Sequence, residues 1–278
     1  MIGPVNLYPY QVVIPTINRL EKMAKHFVAV HGACHGAWVY YKLKPRIEAL
    51  GHRFTAVNLA ASGVNEQKLE EVHSLYDYTK PLLEVLASIP DDEKVILIGH
   101  SGGGMSAALG MEKFPHKISV GVFLNAIMPD TTNRPSFVLE KYSAGTPVDA
   151  WKDSQFAVYG NPPLTSVTVG PKFLSSTLYH LCPVEDFTLG TLLVRPGSLF
   201  IENLLTADKF TAEGLGSVTR VYVVCDEDKT IPLEFQRWMI ENNPVTEVKE
   251  IIGADHMPMF SKPDELCKCL AEIADTYA

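Results

Sequence analysis

Six short runs along the chain are dominated by apolar, often β-branched residues: HFVAV (His26 to Val30), RFTAVNL (Arg53 to Leu59), KVILIGH (Lys94 to His100), ISVGVFLNA (Ile118 to Ala126), RVYVVC (Arg220 to Cys225) and VKEII (Val248 to Ile252). Such runs predict strands, and their near-continuous apolarity predicts cover on both faces. Between most of them lie longer stretches with apolar residues at helical spacing, which predict helices over Trp38 to Leu50, Tyr76 to Ile89, Gly103 to Phe114 and Pro232 to Glu241. Strand alternating with helix implies an α/β fold with a mostly parallel central sheet, helices on both faces and right-handed crossovers. Ligands of such sheets gather at the carboxyl ends of the strands. The alternation lapses from about 129 to 199, where Pro, Gly and aromatic residues are frequent; this stretch is expected to be a lid inserted over the sheet. The expected organisation is a loose leader over residues 1–25 and a single domain over 26–278.

Composition narrows the choice of partners. A chain of 278 residues, 46% hydrophobic and 20% charged, matches an ordinary folded domain and excludes a disordered one. The net charge is −8 and the Lys and Arg residues are scattered, which leaves no basic patch for nucleic acid or an anionic membrane. No apolar run approaches the roughly 20 residues that span a bilayer, and the N-terminus lacks a charged start followed by a clean apolar segment, so a cytoplasmic protein is expected. Cys34, Cys182, Cys225, Cys267 and Cys269 are odd in number and contain no C-x-x-C pair, which argues against a disulfide framework and a zinc site. Cys267 and Cys269 are expected to be partly buried small hydrophobes on a helix.

The chemistry begins at Gly99-His100-Ser101-Gly102-Gly103, a G-x-S-x-G string directly after the run VILI and before the helix-like MSAALGMEKF. The string alone arises by chance in roughly one chain of this length in ten, so its weight comes from that context. A nucleophile on a strand-to-helix turn sits in a strained backbone that thrusts its hydroxyl outward, and flanking glycines let the two segments pack closely. A serine hydroxyl needs a base to take its proton, and the base needs an acid to orient it, in the chain order Ser, acid, His for this turn. His256 is the base by elimination, since His116 and His180 do not follow a strand. CDEDKT, after RVYVV, offers Asp226, Glu227 and Asp228 as the acid, and composition does not choose among them. Asp255, adjacent to His256, is poorly placed to bond its neighbour's ring and is expected to be solvated. Two N–H donors must face the developing oxyanion: Gly102, after the nucleophile, and Ala33, in the small-residue loop HGACHGAW after the first strand.

These residues resemble the plant methylesterase family of α/β hydrolases, whose members include salicylate methylesterases and polyneuridine aldehyde esterase and whose close relatives include hydroxynitrile lyases. The likeness runs from about residue 26 to 275 and is carried by VHGACHGAW, GHRFTAVNLAASG, GHSGGGM, LEKY, VEDFTLGTLLVRPGSLF, CDEDK and ADHMPM. In overall appearance polyneuridine aldehyde esterase is nearest. The resemblance implies the α/β-hydrolase fold and selects Asp228, the second aspartate of CDEDK, as the acid. It implies substrate contacts at the lid residues Tyr142 and Trp151, either of which also suits a core position, and His35 is counted with them. The lyases carry Thr at the position of Gly32 and Lys at that of Met257; this chain has neither, which favours an esterase. Where it has Gly102 the family usually has a bulkier residue, so a wider pocket is expected.

The implied reaction is hydrolysis of the methyl ester of a plant metabolite, with a small-molecule ester as partner, a homodimer left open, and neither metal nor organic cofactor. The likeness to polyneuridine aldehyde esterase makes a monoterpene indole alkaloid β-aldehydo ester the favoured substrate, whose freed acid would lose carbon dioxide unaided. Methyl salicylate or methyl jasmonate comes next, followed by lyase activity and by slow-turnover binding as a receptor.

Overall fold

The computed structural model describes residues 24–278, so the expected leader lies outside the described residues apart from Ala24 and Lys25. Six strands, β1 (His26–Val30), β2 (Arg53–Val57), β3 (Val95–His100), β4 (Ile118–Leu124), and two later ones, Arg220–Cys225 and Glu247–Ile251, form one sheet. Three shorter strands fall between them in sequence: β5 (Gln155–Tyr159), β6 (Leu164–Thr168) and β7 (Gly197–Ser198), so the last two of the main sheet are β8 and β9. The main sheet runs β2-β1-β3-β4-β8-β9, and every pairing is parallel. β1 and β3 lie inside the sheet and are buried at every residue, as their continuous apolarity requires. β9, at the edge, alternates half-buried with exposed positions before Ile251, which accounts for the Lys and Glu in its run.

Successive side chains of each strand point to opposite faces. Val28, Val30, Val95, Leu97 and Tyr222 enter one core, against the helices α2 (Leu75–Ser88) and α3 (Gly103–Lys113). Phe27, Ala29, Ile96, Ile98 and Val223 enter the other, with α1 (Leu43–Ala49) and the C-terminal helix Pro263–Tyr277. Cys267 and Cys269 are buried in this second core. The single helix expected over 38–50 is divided into a short 3-10 turn, Ala37–Tyr40, and α1. Pro45 explains the division, since it has no N–H for the carbonyl of Tyr41 and its ring clashes with that carbonyl in a continuous helix. α2 starts at Ser74, whose hydroxyl accepts from Asp77 N–H at 3.0 Å while the Asp77 carboxylate accepts from His73 N–H at 3.2 Å.

Between β4 and β8 the chain leaves the main sheet. It forms α4 (Phe137–Gly145), the antiparallel sheet β5-β6-β7, and the helix Val184–Leu193. Among the described residues, no helix is long and apolar enough to cross a membrane.

Candidate active site

Ser101 stands in the two-residue gap between β3 and α3 with φ of +55°, a left-handed conformation that costs a non-glycine residue on the order of 1–3 kcal/mol. The surrounding chain holds it there. Its N–H donates to Leu124 O at 3.4 Å, and its carbonyl accepts from Gly104 N–H at 3.1 Å and Ile127 N–H at 3.0 Å. The glycines on either side are sterically required: a Cβ on Gly99 would lie 2.7 Å from that of Ala107, and one on Gly103 would lie 2.4 Å from His31 O.

The loops after β8 and β9 bring two more predicted residues to this turn. His256 Nε2 is 2.9 Å from Ser101 Oγ, and His256 Nδ1 is 2.7 Å from Asp228 Oδ2. A proton on Nδ1 satisfies the carboxylate, which leaves the Nε2 lone pair to accept from the serine hydroxyl. Asp228 is buried, and each of its oxygens is engaged. Oδ1 accepts from Thr230 N–H at 2.7 Å and Ile231 N–H at 2.9 Å; Oδ2 also accepts from Asn125 Nδ2 at 2.8 Å. A carboxylate ringed by donors is held as an acceptor with one orientation. Its two rivals are placed elsewhere: Asp226 accepts from Gly253 N–H at 2.6 Å, and Glu227 is exposed.

Asn125 was not singled out from the sequence. Its Nδ2 bridges Asp228 Oδ2 and His256 O, the latter at 3.1 Å. The signal that would find it is a buried amide closing the apolar run VGVFL at the carboxyl edge of the sheet, where ligands gather. Asp255 requires a correction, since it is fully buried and not solvated. It does not reach its neighbour's ring; instead it accepts from Leu181 N–H at 2.9 Å, Met257 N–H at 3.0 Å and Ser261 Oγ at 2.7 Å, and Cys182 Sγ is 3.2 Å away. A buried carboxylate must find donors, and the lid supplies two of these four.

The loop after β1 faces Ser101 from the other side. Three neutral histidines brace the region. His31 donates from Nδ1 to Gly32 O at 2.8 Å and accepts Leu59 N–H at Nε2, 3.1 Å away. His35 donates from Nδ1 to Ala33 O at 2.8 Å and accepts the Tyr179 hydroxyl at Nε2, 2.7 Å away. His100 donates from Nε2 to His256 O at 2.8 Å. Burial pushes His31 and His35 down to about 4 and His100 well below its ordinary value, because desolvation penalises the charged ring. Ala33 N lies 3.5 Å from where a Cβ on Gly102 would stand, so the two residues expected to supply the oxyanion donors are neighbours in the cavity wall beside Ser101. Cys34, also left-handed at φ +66°, donates its thiol to Val167 O at 3.4 Å, and burial pushes that thiol up to about 12.

Above Ser101 is a cavity with about 600 Å³ of free space, its open mouth included. Ser101, His256, Ala33, Gly102, His35, Tyr142 and Trp151 all contribute to its lining. The Tyr142 hydroxyl donates to Thr230 O at 2.9 Å, and Trp151 stacks on Phe173 with ring centroids 5.4 Å apart. The remaining wall is mainly aliphatic, including Ile127, Leu139, Val169, Leu178 and Leu199. Two lining residues carry buried polar atoms without a partner, His100 at Nδ1 and Thr230 at Oγ1. Among the described residues, no Lys or Arg lines this cavity.

The profile of the Alpha/beta hydrolase family matches residues 27–268. The chain is 58% identical to salicylic acid-binding protein 2 of Nicotiana tabacum over 258 residues, 92% of this chain and 99% of that protein. It is 52% identical to polyneuridine aldehyde esterase of Rauvolfia serpentina over 257 residues, 92% of this chain and 97% of the other. The crystal structure of polyneuridine aldehyde esterase superposes with a TM-score of 0.89, covering 90% of this chain and 99% of that one. Methylesterase 1 of Arabidopsis thaliana is 52% identical over 259 residues, 92% of this chain and 98% of that protein.

The buried histidines predict a specific acid sensitivity. His31 and His35 titrate near 4 when folded and near 6.5 when unfolded, so between these values the unfolded chain binds more protons. Their contribution to stability is therefore complete above about pH 6.5 and is lost as pH falls toward 4, at up to about 1.4 kcal/mol per histidine per pH unit. The urea midpoint at pH 5 should lie clearly below that at pH 7; equal midpoints would contradict the neutral, buried assignment.

Proposed function

We infer the function from a fixed starting point: the chain belongs to the plant methylesterase family of α/β hydrolases. It is read as a serine esterase that removes the methyl group from the ester of an apolar, ring-bearing plant acid. The observation that carries this reading is the continuous hydrogen-bonded line from Ser101 Oγ through His256 to Asp228 at the floor of an apolar cavity. Ser101 Oγ attacks the ester carbonyl as its proton passes to His256 Nε2, and Asp228 stabilises the imidazolium that forms. The N–H groups of Ala33 and Gly102 receive the oxyanion. His256 returns the proton to the departing methoxide, methanol leaves, and water activated by the same histidine releases the acid.

The cavity wall has no cation to receive cyanide, and Met257, which follows the histidine, is buried outside the cavity lining; both facts favour the esterase over a lyase. Two acids fit the apolar walls. Likeness to polyneuridine aldehyde esterase supports an indole-alkaloid β-aldehydo ester, whose acid then loses carbon dioxide. Greater identity to the tobacco salicylic acid-binding protein supports a single aromatic ring, as in methyl salicylate.

Methanol and carbon dioxide released from a panel of both ester types separate these substrates, since only the β-aldehydo ester yields carbon dioxide as well as methanol. Ser101→Ala should lower kcat about ten-thousand-fold or more with the fold intact; retained hydrolysis would refute the serine mechanism. Asp228→Asn should cost roughly ten-thousand-fold, and Asp226→Asn less than about tenfold; the opposite ranking would reassign the acid. Asn125→Ala removes one donor from Asp228 and should lower kcat about ten- to a hundredfold with little change in KM; a purely KM effect would show that Asn125 does not act through the carboxylate.

A further inference from the structure

Gly102 forms part of the wall of two cavities. Besides the one above Ser101, it borders a small annex walled by Leu75, Tyr78, Met105, Leu139, Leu199 and Phe200. Ala33, Leu139 and Leu199 also border both spaces, so the boundary between them runs through the residue that follows the nucleophile. That residue has helical dihedrals, φ −58° and ψ −22°, which suit any L side chain. A Cβ there would lie 3.4 Å from Leu199 Cδ2 and 3.5 Å from Ala33 N, in ordinary contact. Neither strain nor crowding demands glycine at 102, unlike 99 and 103. What glycine does is leave room for a carbon atom at the boundary, between Leu199 and Ala33.

The annex is chemically simple. Its polar side chains are already engaged: Tyr78 Oη accepts from Ser62 Oγ at 3.3 Å, and Ser198 Oγ donates to Thr165 O at 2.9 Å while accepting from Phe200 N–H at 3.0 Å. None of the buried unpartnered polar side-chain atoms belongs to it. It therefore offers a ligand mainly hydrocarbon contact. Its position also distinguishes the two halves of an ester. The leaving alkoxide takes its proton from His256 Nε2 and must lie on that side of Ser101, whereas His256 is absent from the annex wall.

We propose that the annex behind Gly102 is an acyl subsite, which receives an apolar branch on the carbon next to the ester carbonyl and makes the protein selective for α-branched acids. This rests on the esterase reading above for the orientation of the ester, while occupancy of the annex is measured without turnover. Phenylacetate and each enantiomer of 2-phenylbutanoate, which adds an α-ethyl group, are titrated calorimetrically into the full chain and into Gly102→Leu and Leu75→Trp. The first variant closes the boundary; the second fills the annex from its far side, because Leu75 does not line the main cavity. Methanol release from the two methyl esters is followed in parallel.

The expected result is that both variants lose preference for one 2-phenylbutanoate enantiomer over phenylacetate by about tenfold or more, in the ratio of Kd values and of kcat/KM values. Unchanged ratios in both variants, whatever the absolute losses, would overturn the subsite and leave Gly102 as an oxyanion donor alone. A shifted binding ratio without hydrolysis of any methyl ester would keep the subsite and refute the esterase reading. Hydrolysis with unmoved ratios would do the reverse.

Discussion

A serine held with φ of +55° between a buried strand and a buried helix is the constraint around which the rest is arranged. Such a residue relaxes unless its neighbours over-determine it. Here the ends of two strands do so: β3 leads into the turn, while Leu124 at the end of β4 and Ile127 just beyond it hydrogen-bond to its backbone. Asn125, between those two, is bonded by its own N–H to Val223 O of β8 at 2.8 Å. The same asparagine side chain then reaches the loop after β8 through Asp228 and the loop after β9 through His256 O. The parallel sheet is thus the means by which five separated segments present their carboxyl ends to one serine.

The loop after β1 completes the arrangement by a different route. It has few side chains large enough to pack, so its shape depends on imidazoles that bond its own carbonyls and stay uncharged. Its other anchors lie in the lid: Arg195 N–H donates to Cys34 O at 2.9 Å, and the Arg195 guanidinium caps the carbonyls of Gly63 and Asn65 at 3.1 and 2.7 Å. Oxyanion donors and cavity roof are consequently joined through a single short loop.

Much of this was legible in the chain, for reasons that differ by residue. The strands were readable because the central ones are buried on both faces and so are apolar throughout; β9, half exposed, was placed one residue late. The turn at Ser101 was readable because Gly99 and Gly103 are demanded by contacts under 3 Å. Choosing Asp228 from three neighbouring acids needed the family resemblance, since only the donors around each carboxylate distinguish them. Asp255 was misread because burial of a charge depends on partners 73 or more positions away, at Leu181 and Cys182, which no local pattern encodes. The β5-β6-β7 sheet was missed within the expected lid because β5 is almost wholly exposed and β7 is only two residues long.

Asp255 also divides that roof energetically. Detaching Leu181 and Cys182 would leave a buried carboxylate without two of its donors while disturbing the backbone beside His256, so this part of the roof shares the stability of the core. β5 has no comparable tether, and four of its five residues are exposed. The roof therefore consists of one region tied to the core through Asp255 and another held by its pairing with β6 and its ring contacts, and amide exchange is expected to be slower near Leu181 than in β5.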